Sequence, residues 1–195
     1  MGEAALDLPS FEELYERIRA LPEGVTGEIL EPGVLRTMRR PGRAHRLAAK
    51  VIGHALRSFD QQFGGAGWWL EVEVEIRFPR SRLAVPDLCG FRVEHVPDIP
   101  DENPLTILPE WCCEILSPIT ARDDRRLKLP LYATSGVSWI WLVDPDLRMV
   151  EVFESVQGRP TLTVTAVDDE RVVLPPFEGE IDLAPWWLPE TAPEK

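Results

Sequence analysis

The sequence predicts one α/β domain, with mixed strands flanked by a few helices, and three observations carry that expectation. The segment 44–63 places Leu47, Ala48, Val51, Ile52, Ala55, Leu56, Phe59 and Phe63 at helical period and ends on Gly64-Gly65. The segment 69–77 alternates apolar and charged residues with the period of two expected of a half-buried strand. Strand-like runs at 83–91, 110–116, 139–143, 149–155 and 161–167 surround one further helical stretch near 123–135. At 195 residues and 44% hydrophobic content, the chain has the size of a single domain and can build a sizeable core.

The elements follow in order. Residues 1–9 read as a flexible lead, and the domain is expected over 10–188. Ser10 is the predicted N-cap of a first helix, with Glu13 completing a capping box and Phe11, Leu14, Tyr15, Ile18 and Leu21 forming the apolar face up to Pro22. Two strands, 27–30 and 34–38, are joined by the Glu31-Pro32-Gly33 turn, with Glu28 near the start. In the helix predicted over 44–63, His54 lies seven residues after Leu47 and is expected to face the core, whereas His45 at the helix start is less constrained. In 69–77, Leu70, Val72, Val74 and Ile76 share one face; Glu71, Glu73 and Glu75 share the other, which a solvated face explains more simply than a metal site. Pro130 complicates the helix near 123–135 and Gly136 stops it. The chain is proline-rich from Pro175, Trp186-Trp187 are expected to dock on the body, and 189–195 read as a frayed tail.

Composition narrows the function classes. No apolar run approaches the roughly 18 to 20 residues of a spanning helix, and Met1 to Pro9 lack a basic segment followed by an apolar one. A soluble, cytoplasmic protein is the expectation. Cys89, Cys112 and Cys113 are odd in number, without CxxC spacing, and the adjacent pair on a strand would face opposite ways, so all three are expected as reduced core thiols. His45, His54 and His95 offer no cluster for structural zinc. A net charge of -12 argues against a protein that coats nucleic acid, so any DNA binding must be local. Basic residues concentrate at Arg36, Arg39, Arg40, Arg43 and Arg46, and at Arg122, Arg125, Arg126 and Lys128; binding patches and solvated helix ends explain them equally well.

Three features then fall in chain order: Val85-Pro86-Asp87-Leu88, Trp111-Cys112-Cys113-Glu114-Ile115-Leu116-Ser117-Pro118, and Asp124 with Lys128. Asp87 and Glu114 each interrupt an apolar strand, where a carboxylate is costly to bury unless it is paired or bound to a cation. Two such acids on neighbouring strands make a hard-cation site, since Mg²⁺ takes one or two carboxylates and keeps several waters. Lys128 beside them could orient and deprotonate a water or neutralise charge developing on phosphate. Asp124, four residues earlier, has the spacing to position that lysine, or to form an ordinary surface pair worth roughly 0.2 to 0.5 kcal/mol.

At these residues the chain resembles the large bacterial group of restriction-endonuclease-like proteins called the Uma family, within the PD-(D/E)XK nuclease superfamily. The resemblance covers nearly the whole chain. Its pattern is matched by Glu28-Ile29-Leu30-Glu31-Pro32-Gly33, by His45, by Pro86-Asp87 and by Glu114-Ile115-Leu116-Ser117-Pro118. It is matched further by Asp124 to Lys128, by Leu129-Pro130-Leu131-Tyr132, and by Gly136-Val137-Ser138-Trp139-Ile140-Trp141-Leu142-Val143-Asp144-Pro145. The resemblance implies a restriction-endonuclease-like mixed central sheet flanked by helices, and phosphodiester hydrolysis assisted by Mg²⁺ or Mn²⁺. By that similarity Asp87 and Glu114 are metal ligands and Lys128 is the catalytic lysine, with Glu28 an auxiliary acid and His45, Asp124 and Tyr132 supporting residues. The usual superfamily lysine position, two after the second acid, holds Leu116, so the lysine function has moved to the helix. Ile119 and Trp139 depart from the family pattern, which bears on loop and rim contacts but not on the ligands.

Three readings follow: a metal-dependent endonuclease acting on DNA, a non-catalytic module of the same fold that binds nucleic acid or a protein partner, or a relative whose substrate is not nucleic acid. A homodimer is expected, since paired nuclease-like subunits can address two strands and the C-terminal tryptophans offer an apolar contact. No membrane partner is expected.

Overall fold

The computed structural model describes residues 8–39 and 42–189. Arg40 and most of the two expected flexible ends lie outside the described residues. Helix α1 (Phe11–Arg19) begins where its capping box requires: Ser10 Oγ accepts from the Glu13 amide (3.2 Å), and the Glu13 carboxylate accepts from the Ser10 amide (2.8 Å). Strands β1 (Val25–Glu31) and β2 (Val34–Arg39) form the expected hairpin. Its turn needs Gly33, whose φ of 79° most side chains avoid.

Helix α2 (Arg43–Ala55) is shorter than predicted. The chain leaves it at Leu56 for turns and a 3₁₀ turn (Gln61–Phe63) capped by the buried Asp60, whose Oδ1 accepts from the Gln62 amide (3.1 Å). The buried face is Ala48, Ile52 and Leu56. His54 follows Ile52 by two residues, about 200° around the helix, and is exposed, contrary to its expected place in the core.

The run 69–77 is not one strand. It divides into β3 (Trp68–Val72) and β4 (Ile76–Phe78) at Glu73, whose φ is 52°. The halves belong to different sheets, so the alternation does not persist: Val72 is 61% exposed, and Glu75 accepts from Tyr15 Oη (2.7 Å). The run 83–91 divides in the same way into β5 (Arg82–Ala84) and β6 (Leu88–Arg92) across Val85-Pro86-Asp87. Both breaks mark the chain crossing between two layers.

The remaining strands are β7 (Trp111–Ile115), β8 (Trp139–Asp144), β9 (Met149–Val156) and β10 (Arg159–Val167), all at their expected places, and the short pair β11 (Arg171–Val173) and β12 (Glu180–Asp182), which the proline-rich composition concealed. Six strands form a mixed sheet in the order β10-β9-β8-β7-β6-β3, with β7 and β8 parallel and the other pairs antiparallel. A four-stranded antiparallel sheet, β2-β1-β5-β4, lies over part of it. The parallel connection between β7 and β8 is helical, as such crossovers require: α3 (Ala121–Asp123), a π turn (Asp124–Lys128) and α4 (Leu129–Ser135) run without a break. Pro130, which has no N–H to donate, falls where the π turn passes into α4, and Gly136 (φ 101°) ends the helix.

Side-chain alternation on β7 assigns the layers. Trp111, Cys113 and Ile115 enter the core beneath α2 and the C-terminal segment; Cys112, with Cys89, enters the core beneath α4 and the four-stranded sheet. The three cysteines are buried free thiols. A third cluster, Phe11, Leu14 and Ile18 with Ile29 and Leu83, seats α1 on the outer face of the smaller sheet. Trp186 and Trp187 are buried against Trp141 and its neighbours within the same protomer. They dock as expected, and so buried they offer little surface to a second subunit. Among the described residues no helix is long and apolar enough to cross a membrane.

Candidate active site

Five charged side chains are buried among the described residues, and four of them, Glu28, Glu114, Asp124 and Lys128, meet at one point between the two sheets. Each arrives on a different element for a local reason. On β1, the period of two that turns Ile29 outward to α1 turns Glu28 and Leu30 inward. On β7, the same period places Glu114 on the face of Cys112, toward α4. The π turn carries Asp124 at its first residue and Lys128 at its last.

Lys128 Nζ is the centre of the group. It lies 2.8 Å from Glu28 Oε1, 3.0 Å from Glu114 Oε2 and 3.8 Å from Asp124 Oδ1, and it donates to the Val85 carbonyl at 3.3 Å. Tyr132 Oη, from α4, donates to the other Glu114 oxygen at 2.5 Å. Glu28 Oε1 also accepts from the Val85 amide (2.8 Å), so the residue before Pro86-Asp87 ties the hairpin to the lysine through its backbone. Backbone contacts carry no residue-type signal, and sequence reasoning missed this role for Val85.

Asp87 sits at the rim. Its Oδ2 accepts from the Ile115 amide (2.6 Å), and its Oδ1 lies 2.9 Å from His45 Nε2 in the first turn of α2. The ladder pairs Leu88 with Cys113 and Cys89 with Cys112, a register that, extended by one residue, sets Asp87 across from Glu114. Asp87 keeps 18% of its side-chain surface exposed, against 2% for Glu114, so it is the acid of the pair that water reaches.

The electrostatics follow from one ammonium serving several buried acids. Burial pushes the Glu114 carboxyl well above the usual carboxylate range; Lys128 opposes the shift, and Asp124, Asp87 and Glu28 add to it. Asp124 is pushed up to about 6, again chiefly by burial, with Lys128 and a Thr120 hydrogen bond opposing. Burial alone would lower Lys128, but the carboxylates outweigh it and hold its proton well above the ordinary lysine value. Burial and then Glu114 raise the Tyr132 phenol. Lys128 and Tyr132 therefore stay protonated, as donors.

A cavity of about 260 Å³ reaches the cluster from the side of the hairpin, lined by Glu28, Asp124, Lys128, Arg36, Thr120 and Ile119 among others. Arg36 crosses its mouth, pairing with Asp123 (2.8 Å) and Glu31 (2.9 Å). Among the described residues, no three of His, Cys, Asp and Glu are gathered at metal-holding spacing. The structure thus brings Glu28, Glu114, Asp124, Lys128 and Tyr132 into direct contact, and pairs Asp87 with His45 beside them.

Comparisons agree with this arrangement at the level of fold and family. A solved structure described as "a putative nuclease belonging to DUF820", from Anabaena variabilis ATCC 29413, is similar over 91% of this chain and 98% of that one, with a TM-score of 0.69 and 22% sequence identity. The likeness is one of fold, a mixed sheet with few helices. A comparison with curated proteins finds no match. A family sequence model described as "Putative restriction endonuclease" matches residues 11–185. With that span covering most of the domain and all seven residues singled out above, the chain belongs to the Uma2 family.

Proposed function

We propose that the chain is a metal-dependent endonuclease that hydrolyses DNA phosphodiester bonds, with Asp87, Glu114 and Lys128 at its centre. The observation that carries this reading is the gathering of acids at one point: Glu28, Glu114 and Asp124 close on a single ammonium, that of Lys128, with Asp87 across the ladder from Glu114. Carboxyls crowded in this way are relieved either by taking up protons, as the raised values of Glu114 and Asp124 indicate, or by a cation. The donors are all oxygens, which fits a hard divalent ion, and Mg²⁺ needs only one or two carboxylates with waters completing its shell. Asp87, solvent-reached, and Glu114 would hold it. A divalent ion held there would supply Lewis-acid polarisation of the scissile phosphate and offset the charge that develops on it.

The chain's own residues have separate tasks. Lys128 keeps its proton, so it serves as a fixed positive charge toward the developing phosphate oxyanion rather than as a base. Glu28 and Asp124 hold the ammonium in place, and Tyr132 orients Glu114 through Oε1. His45 orients Asp87 in the same way.

The test is incubation of the purified chain with supercoiled plasmid and with oligonucleotides, plus Mg²⁺ or Mn²⁺. Cleavage by the parent that disappears in Asp87→Ala supports the proposal; equal background in both overturns it. One observation favours the second class, a non-catalytic module: both oxygens of Asp87 and both of Glu114 already accept from, or lie against, protein donors. Calorimetric titration with Mn²⁺ separates the two, because no heat at millimolar metal with intact ligands favours the module.

A further inference from the structure

The cavity beside Lys128 has a neighbour of about 230 Å³, lined by Glu31, Arg122, Arg126 and Leu127. Arg36 and Asp123 line both and form the wall between them. In a chain of net charge -12, this second cavity carries three arginines against two acids. Arg36 is engaged with both acids, Asp123 and Glu31. Arg122 and Arg126 are exposed and make no ion pair among the described residues. Among the described residues, two guanidiniums therefore stand without an ion-pair partner next to the buried cluster, and the lining of this cavity is net positive on an acidic molecule.

The lip of the first cavity carries a second unusual feature. Ile119 is 91% exposed at the tip of the loop between β7 and α3. The loop is pinned beneath it: Ser117 Oγ and Thr120 Oγ1 share a hydrogen bond (3.0 Å), the Thr120 amide donates to Ser117 Oγ (3.2 Å), and the Ala121 amide donates to the Ser117 carbonyl (2.9 Å). The ordered loop presents the aliphatic side chain to solvent.

We infer that the two cavities form one track for the phosphodiester backbone of a nucleic-acid strand, with Arg122 and Arg126 taking phosphates beyond the reacting one and Ile119 packing on an adjacent sugar or base. Guanidiniums suit phosphate because their forked donors match its oxygens, and aliphatic wedges are a recurrent way to abut nucleotides. Such contacts are local, which reconciles binding with the acidity of the whole. The inference rests on the nuclease reading above and adds where the strand lies.

The test is fluorescence anisotropy of the full chain with labelled single-stranded DNA, duplex DNA and RNA of one sequence, in EDTA, over a series of salt concentrations. A phosphate contact contributes a slope of about 0.7 to 0.9 in log K against log salt. Arg122→Ala and Arg126→Ala are each expected to weaken binding and flatten the slope by about that amount. Arg159→Ala, the same charge change on the exposed β9–β10 hairpin, is expected to do neither. Ile119→Ala is expected to weaken binding about fivefold with the slope unchanged, as for lost apolar contact. The relative affinities of the three probes identify the strand. Arg122 and Arg126 variants that behave like Arg159→Ala while the parent binds, or a parent that binds none of the probes, overturn the track. Binding that follows the expected pattern in a parent that cleaves nothing with Mn²⁺ upholds the track and removes the nuclease reading alone.

Discussion

Lys128 Nζ stands 3.0 Å from Glu114 Oε2, and each of the two is at most 3% exposed. The contact joins a π turn to an inner strand of the six-stranded sheet, so its energy is tied to the fold as well as to the site. Removing one partner of a buried pair leaves the other charge uncompensated, the costly case for buried ions.

Lys128→Met is therefore expected to destabilise the protein by roughly 3 to 5 kcal/mol at pH 7, read from urea unfolding. The Lys128 proton is held more tightly in the folded state than in the unfolded one. Its contribution is thus complete below the unfolded lysine value of about 10.4 and fades only at higher pH. The defect of the variant should shrink toward pH 5, where the orphaned carboxylates can take up protons. A defect that grows on acidification would contradict the assignment of the charges.

Asp124 gives a second pH signature of known sign. Its folded value of about 6 lies above the ordinary 3.8, so the folded state binds the proton more tightly, and this residue's contribution to stability falls as pH rises from about 4 to about 6. The whole effect is on the order of 3 kcal/mol. Asp124→Asn should lose that dependence: its stability relative to the parent should improve steadily between pH 4 and pH 7. A difference that stays flat across the window would show that burial does not govern this carboxyl.

Tyr132→Phe removes one hydroxyl and leaves the ring, which packs tilted on Phe78 at 5.3 Å between centroids. Glu114 Oε1 then lacks its donor, at a cost of about 1 to 3 kcal/mol. Combined with Glu114→Gln in a double-mutant cycle, the two changes should be non-additive. Simple addition would mean that the hydroxyl does not serve Glu114.

Divalent metal should raise the thermal midpoint at pH 7, since a ligand that binds only the folded state stabilises by about 2.7 kcal/mol at a hundred times its dissociation constant. Scanning calorimetry with Mn²⁺ should show the rise in the parent and its loss in Asp87→Ala and in Glu114→Gln. An equal rise in all three would place the ion elsewhere.

What the sequence determined by itself was local. A strand's period of two dictates that Cys112 and Cys113 part to opposite cores and that Glu114 follows Cys112; Ser10 and Glu13 mark the start of α1, and the ordered set Asp87, Glu114, Asp124, Lys128 marks the site. Tertiary structure alone decided the rest. The alternation through Leu70 and Val74 reads as one strand because periodicity does not register a change of sheet, and only packing against two layers forces the breaks at Glu73 and across Val85-Pro86-Asp87. The exposed side of α2, and with it His54, was settled by which stripe met the larger sheet. Closure of Glu28 over Lys128, one hundred residues away, depended on the hairpin docking above the crossover helix. Propensity and period act over a few residues, whereas the desolvation that shifts the protonation of these charges exists only once distant elements have excluded water from between them.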